Sequence, residues 1–466
     1  MTVAVEPSLV FADPGELVIG ENVRGDARLD KEFIASIRER GVLEPIVAYR
    51  DGDGHLVVLR GKRRTMTAVE VGQSRVPVMV VAPPAESDRV VDQVAENDHR
   101  AALTSSERVA AFEQLTAFGL SAAQIAKKTA RPRAEITAGL KVAGSTVARA
   151  ATEKLPTLDL RQAGVIAEFD GDKQAVDRLL DAAQRGGFDH AAQRLRDERD
   201  AEAAKAKAVD QLLAAGVRVV KAPLYNATAK RLAQLTATVG GDELTDAEHA
   251  TCPGHAAYVD QYWNSRGKLA WRPAYVCTDP QAQGHVLLYG RYDGASASST
   301  EKTEDEREAA RAERRDVIDS NKAWVSAETV RRNWLRAFAA RKTAPKSTER
   351  FIASSFASCN HAIRSALDYG NVLAHDILGA GDPGTYRERG QAIDALLEGA
   401  PDGRAQLVVL VLVLAAYEEG TSKNSWRSVD SGTRQYLRFI EGQGYELSWI
   451  ELRACGVEPR RDTDDV

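Results

Sequence analysis

The sequence predicts an α+β N-terminal domain, then a mostly α-helical region built on a helix-turn-helix, then a small strand-containing module and a helical C-terminal region. Three observations lead there. Short apolar runs of strand type alternate with helically spaced ones through residues 1–103. From Thr104 through residue 215 the spacing is helical alone. Strand-type runs return, with cysteines and histidines, over 216–293, before a charged linker and helix (294–319) and a helical stretch over 320–466. A chain of 466 residues exceeds what one core organises, so about three or four domains are expected.

Taken in order, ELVIG (16–20) reads as a strand. LDKEFIASIRERG (29–41) reads as a helix, with Asp30 as its cap, Phe33, Ile34 and Ile37 on one face and Gly41 ending it. PIVAYR (45–50) and HLVVLR (55–60) are strands joined by DGDG, a hairpin signal. RGKRR (60–64) opens a helix, and VPVMVV (76–81) is a further strand. TSSERVAAFEQLTAFG (104–119) starts on a Ser/Thr cap and spaces Val109, Phe112 and Leu115 helically. In LSAAQIAKKTARPRAEITAGLKVAG (120–144), Ser121 caps a helix with Ile125 inward. A break at 130–132 follows, then a second helix that Pro132 and Gly139 weaken. The charged run 191–216 suits intrahelical ion pairing. Trp324, Val330, Trp334 and Phe338 form a helical stripe read as core, with a dimer interface as the second reading. Cys359 and His361 are likewise taken as helical core.

Composition excludes some classes. LVVLVLVLAAY (407–417) is shorter than the roughly 20 residues a membrane helix needs, so it reads as a buried helix. The opening residues lack the basic-then-apolar order of a secretory signal. Four cysteines make no disulfide framework in so long a chain. A cytoplasmic location is expected, with no membrane partner. The net charge is only −5, so any nucleic-acid contact must come from a local patch.

Such a patch lies between Ser121 and Arg149. Lys127, Lys128, Arg131, Arg133, Lys141 and Arg149 face a single anion there, Glu135, for a net charge of +5. Cations so placed neutralise phosphates and release counterions. Arg133, Glu135 and Thr137, near the start of the second helix, would then meet base edges. Double-stranded DNA is the expected partner, through Lys127, Lys128, Arg131, Arg133, Thr137 and Lys141.

A second patch is smaller. Gly61 lets the backbone approach an anion, the following helix start offers unpaired N–H groups, and Lys62, Arg63 and Arg64 supply charge. The turn suits a polyphosphate. Further on, VAENDHRAAL places Glu96, Asn97 and Arg100 on one helical face, where Glu96 and Asn97 suit a hydrated magnesium and Arg100 a phosphate.

In these segments the sequence resembles the ParB-type DNA-segregation proteins, particularly the long actinobacterial plasmid and phage versions. The resemblance covers roughly residues 14–200 and rests on NVRGDARLDKEFIASIRERGVLEPIVA, LRGKRRTMTA, AENDHRAALTSSERVAAF and the helix-turn-helix. It implies a ParB/sulfiredoxin-like N-terminal fold. It also implies CTP bound with Mg2+, recognition of a partition site, and a homodimer that closes as a clamp and slides on DNA. A ParA-type partner ATPase and a nucleoid- or plasmid-associated location follow from it too. Carried over, Gly61, Arg63 and Arg64 would cradle the triphosphate, Glu96, Asn97 and Arg100 would handle magnesium and phosphate, and Asn22 with Arg24 would flank the nucleoside. Three departures stand out. Lys62 replaces a usual glutamate, Ala101 a usual acid, and Glu44 a common glutamine. Two acids fewer and one cation more favour holding an anion over activating water, so any CTPase activity is expected to be weak. A transcriptional regulator or a ParB-like nuclease on the same fold are the alternatives.

HATCPGH and VCTDPQAQGH gather His249, Cys252, His255, Cys277 and His285. Cys252, His255, Cys277 and His285 have the donor types of a tetrahedral Zn2+ site. Buried cysteines with exposed histidines are the alternative.

Overall fold

A computed structural model of the chain describes residues 7–19, 31–85, 88, 90–91, 103–223, 227–264, 269–288, 303–346, 348–381 and 386–457. The chain divides into two compact units, Met1–Gly186 and Gly187–Val466.

The first unit begins with a five-stranded mixed sheet in the order β1-β5-β3-β4-β2. Its strands are β1 (Ser8–Ala12), β2 (Val18–Ile19), β3 (Ile46–Arg50), β4 (Leu56–Arg60) and β5 (Val76–Val81). The DGDG signal makes the β3–β4 hairpin: Asp51 Oδ1 accepts from the Asp53 and His55 amides at 3.0 and 2.8 Å, and Arg50 pairs with Leu56. Alternation along β5 sends Val76, Val78 and Val80 into a core with Leu17, Ile46, Ala48 and Ala68. Helix α1 (Lys31–Arg40) buries Ile37 and stops at Gly41, whose φ of +69° is left-handed. Asp30, its expected cap, lies outside the described residues. Helix α2 (Lys62–Glu70) follows β4 directly. Strand β1 was not anticipated. It is an edge strand whose Leu9 and Phe11 are exposed while Val10 and Ala12 pack on the core.

The unit continues through helices α3 (Ser105–Ala117), α4 (Ala122–Thr129), α5 (Arg133–Ala143), α6 (Thr146–Lys154), α7 (Leu160–Ile166) and α8 (Lys173–Arg185). Thr104 and Ser121 form capping boxes with Glu107 and Gln124, as their spacing predicts. Val109, Phe112, Leu115, Ile125 and Ile136 are fully or almost fully buried.

In the second unit, helix α9 (Phe188–Ala214) packs on the strand Leu269–Cys277 and on the 36-residue helix Glu304–Ala339. A three-stranded sheet runs β6 (Lys230–Arg231), β9 (Leu269–Cys277), β8 (His255–Trp263), beside a two-stranded pair of β7 (Leu235–Thr236) and β10 (Val286–Leu287). The four-residue helix α10 (Asp246–His249) precedes β8. Helix α11 (Glu304–Ala339) leads into α12 (Thr348–Ala357), α13 (His361–Tyr369), α14 (Val372–Leu378), α15 (Tyr386–Leu397), α16 (Asp402–Glu419), α17 (Ser431–Gly442) and α18 (Trp449–Ala454). The apolar run 407–417 lies in α16 and is buried apart from exposed Val409 and half-buried Leu412, and Trp324 and Phe338 are buried on α11.

Cys359 and His361 correct the expectation of helical core. Both are exposed: Cys359 lies in the turn after α12 at a left-handed φ of +49°, and His361 is the first residue of α13. At the heart of this bundle Arg331 is fully buried. It donates from Nε to Glu418 Oε2 and from Nη1 to Glu451 Oε1, both at 2.7 Å. Among the described residues, no helix is long and apolar enough to cross a membrane.

Candidate phosphate and nucleic-acid sites

Strand β4 ends at Arg60, and Gly61 turns the chain into α2 with φ +99°. A side chain would be strained at that φ, and a Cβ there would sit 3.5 Å from both Ile46 Cα and Ile46 Cγ1. No side chain caps α2 and no acid stands in its first turn. Among the described residues its first turn therefore has no side-chain cap, and the positive end of the helix carries three more cations.

The three cations are held differently. Arg64, whose side chain is 17% exposed, donates from Nη1 to the Glu44 carbonyl at 2.7 Å and the Pro45 carbonyl at 3.1 Å, and pairs with the Glu44 carboxylate at 3.2 Å. It ties the segment before β3 to the start of α2. Arg63 is exposed, its guanidinium 4.7 Å from the centre of the Phe33 ring. Lys62 is half-buried. Asn22, Arg24, Glu96, Asn97 and Arg100 lie outside the described residues.

In the helix-turn-helix, α4 ends on Ala130 at φ +54°, and Pro132 precedes α5. Arg133, Thr137 and Lys141 recur every four residues along α5 and are all exposed, making one polar stripe. Lys127 and Lys128 are exposed at the end of α4, and Lys128 pairs with Asp88. Arg131 is mostly buried and bonded to Glu135, which also pairs with Arg108 at 3.4 Å. Glu135 and Arg131 therefore brace the turn, and the stripe they leave exposed is cationic.

In the β6–β10 module the ligand atoms of His249, Cys252, Cys277 and His285 all lie within 4.8 Å of one another. His249, at the end of α10, joins the other three where the spacing had suggested His255. His255 opens β8 and sits beside the group, its Nδ1 3.0 Å from His249 Nδ1. Burial pushes the Cys277 thiol up to about 11; it also pushes His249 down to about 4, with His285 and His255 adding to the fall. The signal for His249 was its three-residue spacing to Cys252, as strong as that of Cys252 to His255.

Residues 25–97 match the family model of the ParB N-terminal domain. A probable chromosome-partitioning protein ParB of Treponema pallidum (strain Nichols) is 34% identical over 139 residues, covering 30% of this chain and 41% of that protein. One of Mycobacterium leprae (strain TN) is 35% identical over 111 residues, covering 23% of this chain and 33% of that protein. The chain thus spans well under half the length of these relatives. The solved structure of C-terminally truncated chromosome-partitioning protein ParB from Caulobacter crescentus, complexed to the centromeric parS site, aligns at 18% identity. It covers 37% of this chain and 92% of that one, with a TM-score of 0.29, a likeness that carries no argument.

Proposed function

We propose that this chain, which carries a ParB-family N-terminal domain, is a partition-site DNA-binding protein: a homodimer that works as a CTP-gated clamp on double-stranded DNA. The observation that carries the reading is the Gly61 turn. It lies inside the matched domain and opens an uncapped, acid-free helix start studded with Lys62, Arg63 and Arg64. Downstream in the same unit, Arg133, Thr137 and Lys141 line the exposed side of α5, as a DNA-reading helix requires.

The described residues fit a triphosphate: a glycine turn at φ +99° that disfavours a side chain, amides without a side-chain cap, and three cations. Gly61, Lys62, Arg63 and Arg64 would hold it, with Glu96, Asn97 and Arg100 for magnesium and phosphate and Asn22 with Arg24 by the nucleoside. Magnesium would supply neutralisation of the triphosphate charge. Arg64 does double duty by fixing Glu44 and Pro45, so the phosphate contact is tested more cleanly at Arg63. A ParA-type ATPase is the proposed partner, and the nucleoid or plasmid the proposed location.

The test is calorimetric titration of the full chain with each of the four NTPs, with magnesium, with and without DNA. CTP should bind, the other three should bind at least about tenfold more weakly, and Arg63→Ala should weaken CTP by about tenfold or more with unchanged thermal stability. Equal binding by wild type and Arg63→Ala, or no binding of any NTP, sinks the nucleotide reading.

A further inference from the structure

Four soft-donor side chains converge in the β6–β10 module from different parts of the chain. His249 ends α10, Cys252 lies in the turn after it, Cys277 is the last residue of β9, and His285 stands just before β10. We propose that His249, Cys252, Cys277 and His285 form a structural zinc centre, with His255 orienting His249 rather than binding the metal.

Geometry comes first. Zinc bonds of about 2.0–2.3 Å in a tetrahedron place ligand atoms about 3.3–3.8 Å apart. Cys252 Sγ and His285 Nε2 already stand 3.5 Å apart, and all four ligand atoms lie within 4.8 Å of one another. Closing on an ion needs shifts of only about an ångström.

His249 decides the ligand set. The residue is 1% exposed, and its buried Nε2 makes no hydrogen bond among the described residues. A buried ring nitrogen left so is costly. Its other nitrogen, Nδ1, faces His255 Nδ1 at 3.0 Å. Two ring nitrogens at that distance share one proton, donated by one to the lone pair of the other. With the proton on His249 Nδ1, Nε2 presents a lone pair to the metal, and His255 is the outer partner that fixes the tautomer.

Two sulfurs and two imidazoles select zinc over hard cations such as magnesium or calcium. Binding releases the two thiol protons to solvent, so two thiolates offset the dication and the buried site carries no net charge. Four protein ligands leave no open position, so the centre is structural. The need for one is visible: the local core is Leu232, Leu235, Leu244 and Cys277, with few neighbours. Gly254 leaves room for the cluster, since a Cβ there would lie 2.6 Å from Cys277 Sγ.

The test uses the full chain purified without a histidine tag. About one zinc per chain is expected by mass spectrometry of the metal, as for a closed structural site. After removal by chelator, Co2+ should give tetrahedral d–d bands with a thiolate charge-transfer band, and Zn2+ should displace it. His249→Ala and Cys277→Ser should lose Co2+ binding by more than about 100-fold, whereas His255→Ala should keep the spectrum with affinity about 10- to 100-fold weaker. Wild-type protein that holds no zinc and gives no thiolate band with Co2+ overturns the centre, even if the variants fail to fold. Loss of the spectrum in His255→Ala with retention in His249→Ala overturns the ligand set.

Discussion

Gly139 lies against the Phe112 ring so closely that a Cβ at position 139 would sit 2.6 Å from Phe112 Cδ2. Phe112 is fully buried and its ring has nowhere to move. The glycine that local propensity marks as a weakness in α5 is therefore what lets α5 dock on α3. Gly139→Ala should destabilise the protein by about 1–3 kcal/mol despite alanine's better helix propensity. Gly144→Ala is the control, because a Cβ there meets nothing closer than 3.6 Å. Denaturant unfolding of the pair checks this, and equal midpoints would refute it.

Ala130 pays a conformational cost at the turn of the helix-turn-helix. Its φ of +54° is left-handed, its side chain is exposed, and the turn is closed by its own amide and that of Arg131, both bonded to the Ala126 carbonyl. Glycine there should relieve about 1 kcal/mol, since no contact is lost. A higher unfolding midpoint for Ala130→Gly is the expected result, and a lower one would rule it out.

The buried trio of Arg331, Glu418 and Glu451 sets a pH dependence. Burial alone would raise the Glu451 pKa, but Arg331 first and then His190 outweigh it, so its folded pKa lies below the ordinary 4.5. A lowered carboxylate pKa contributes stability above the unfolded value, and that stability is lost as pH falls through the folded one. Arg331→Met should cost about 3–5 kcal/mol at neutral pH by stranding two buried carboxylates. The penalty should shrink as pH falls, because without Arg331 burial raises the Glu451 pKa and that carboxylate protonates in the variant before it does in the wild type; unfolding curves of the two across pH 3–7 read it directly. A penalty constant over that range would contradict the network's role.

DNA binding should carry the mark of the exposed cations on α4 and α5. If Lys127 and Arg133 each neutralise a phosphate, replacing both with alanine should reduce the slope of log K against log salt by about 1.8. Fluorescence anisotropy on duplex DNA at several salt concentrations measures it. An unchanged slope would move the DNA surface elsewhere.

What the sequence made legible was local. The DGDG hairpin, the caps Thr104 and Ser121, the break at 130–132 and the inward face of α3 depend on residues within a turn or two of each other, and each stands where its pattern placed it. The missed features are those that chain reversal creates. His249 and His255 both stand three residues from Cys252, and only the turn between α10 and β8 brings His249 into the cluster. Arg331 meets partners 87 and 120 residues away, which no window on the sequence reveals. Gly139 reads as a defect until Phe112 is seen beside it.

That long reach has a bearing on biosynthesis. Arg331 emerges from the ribosome 120 residues before Glu451, which at about 5–20 residues per second is a wait of roughly 6–24 s. Through that interval the guanidinium lacks one of its two carboxylates, so the helices around it should stay loosely packed and hydrated until α18 arrives. Hydrogen exchange on nascent chains arrested before and after position 451 would show slow exchange in α16 only in the longer one; protection in both would mean that the bundle closes without its last ion pair.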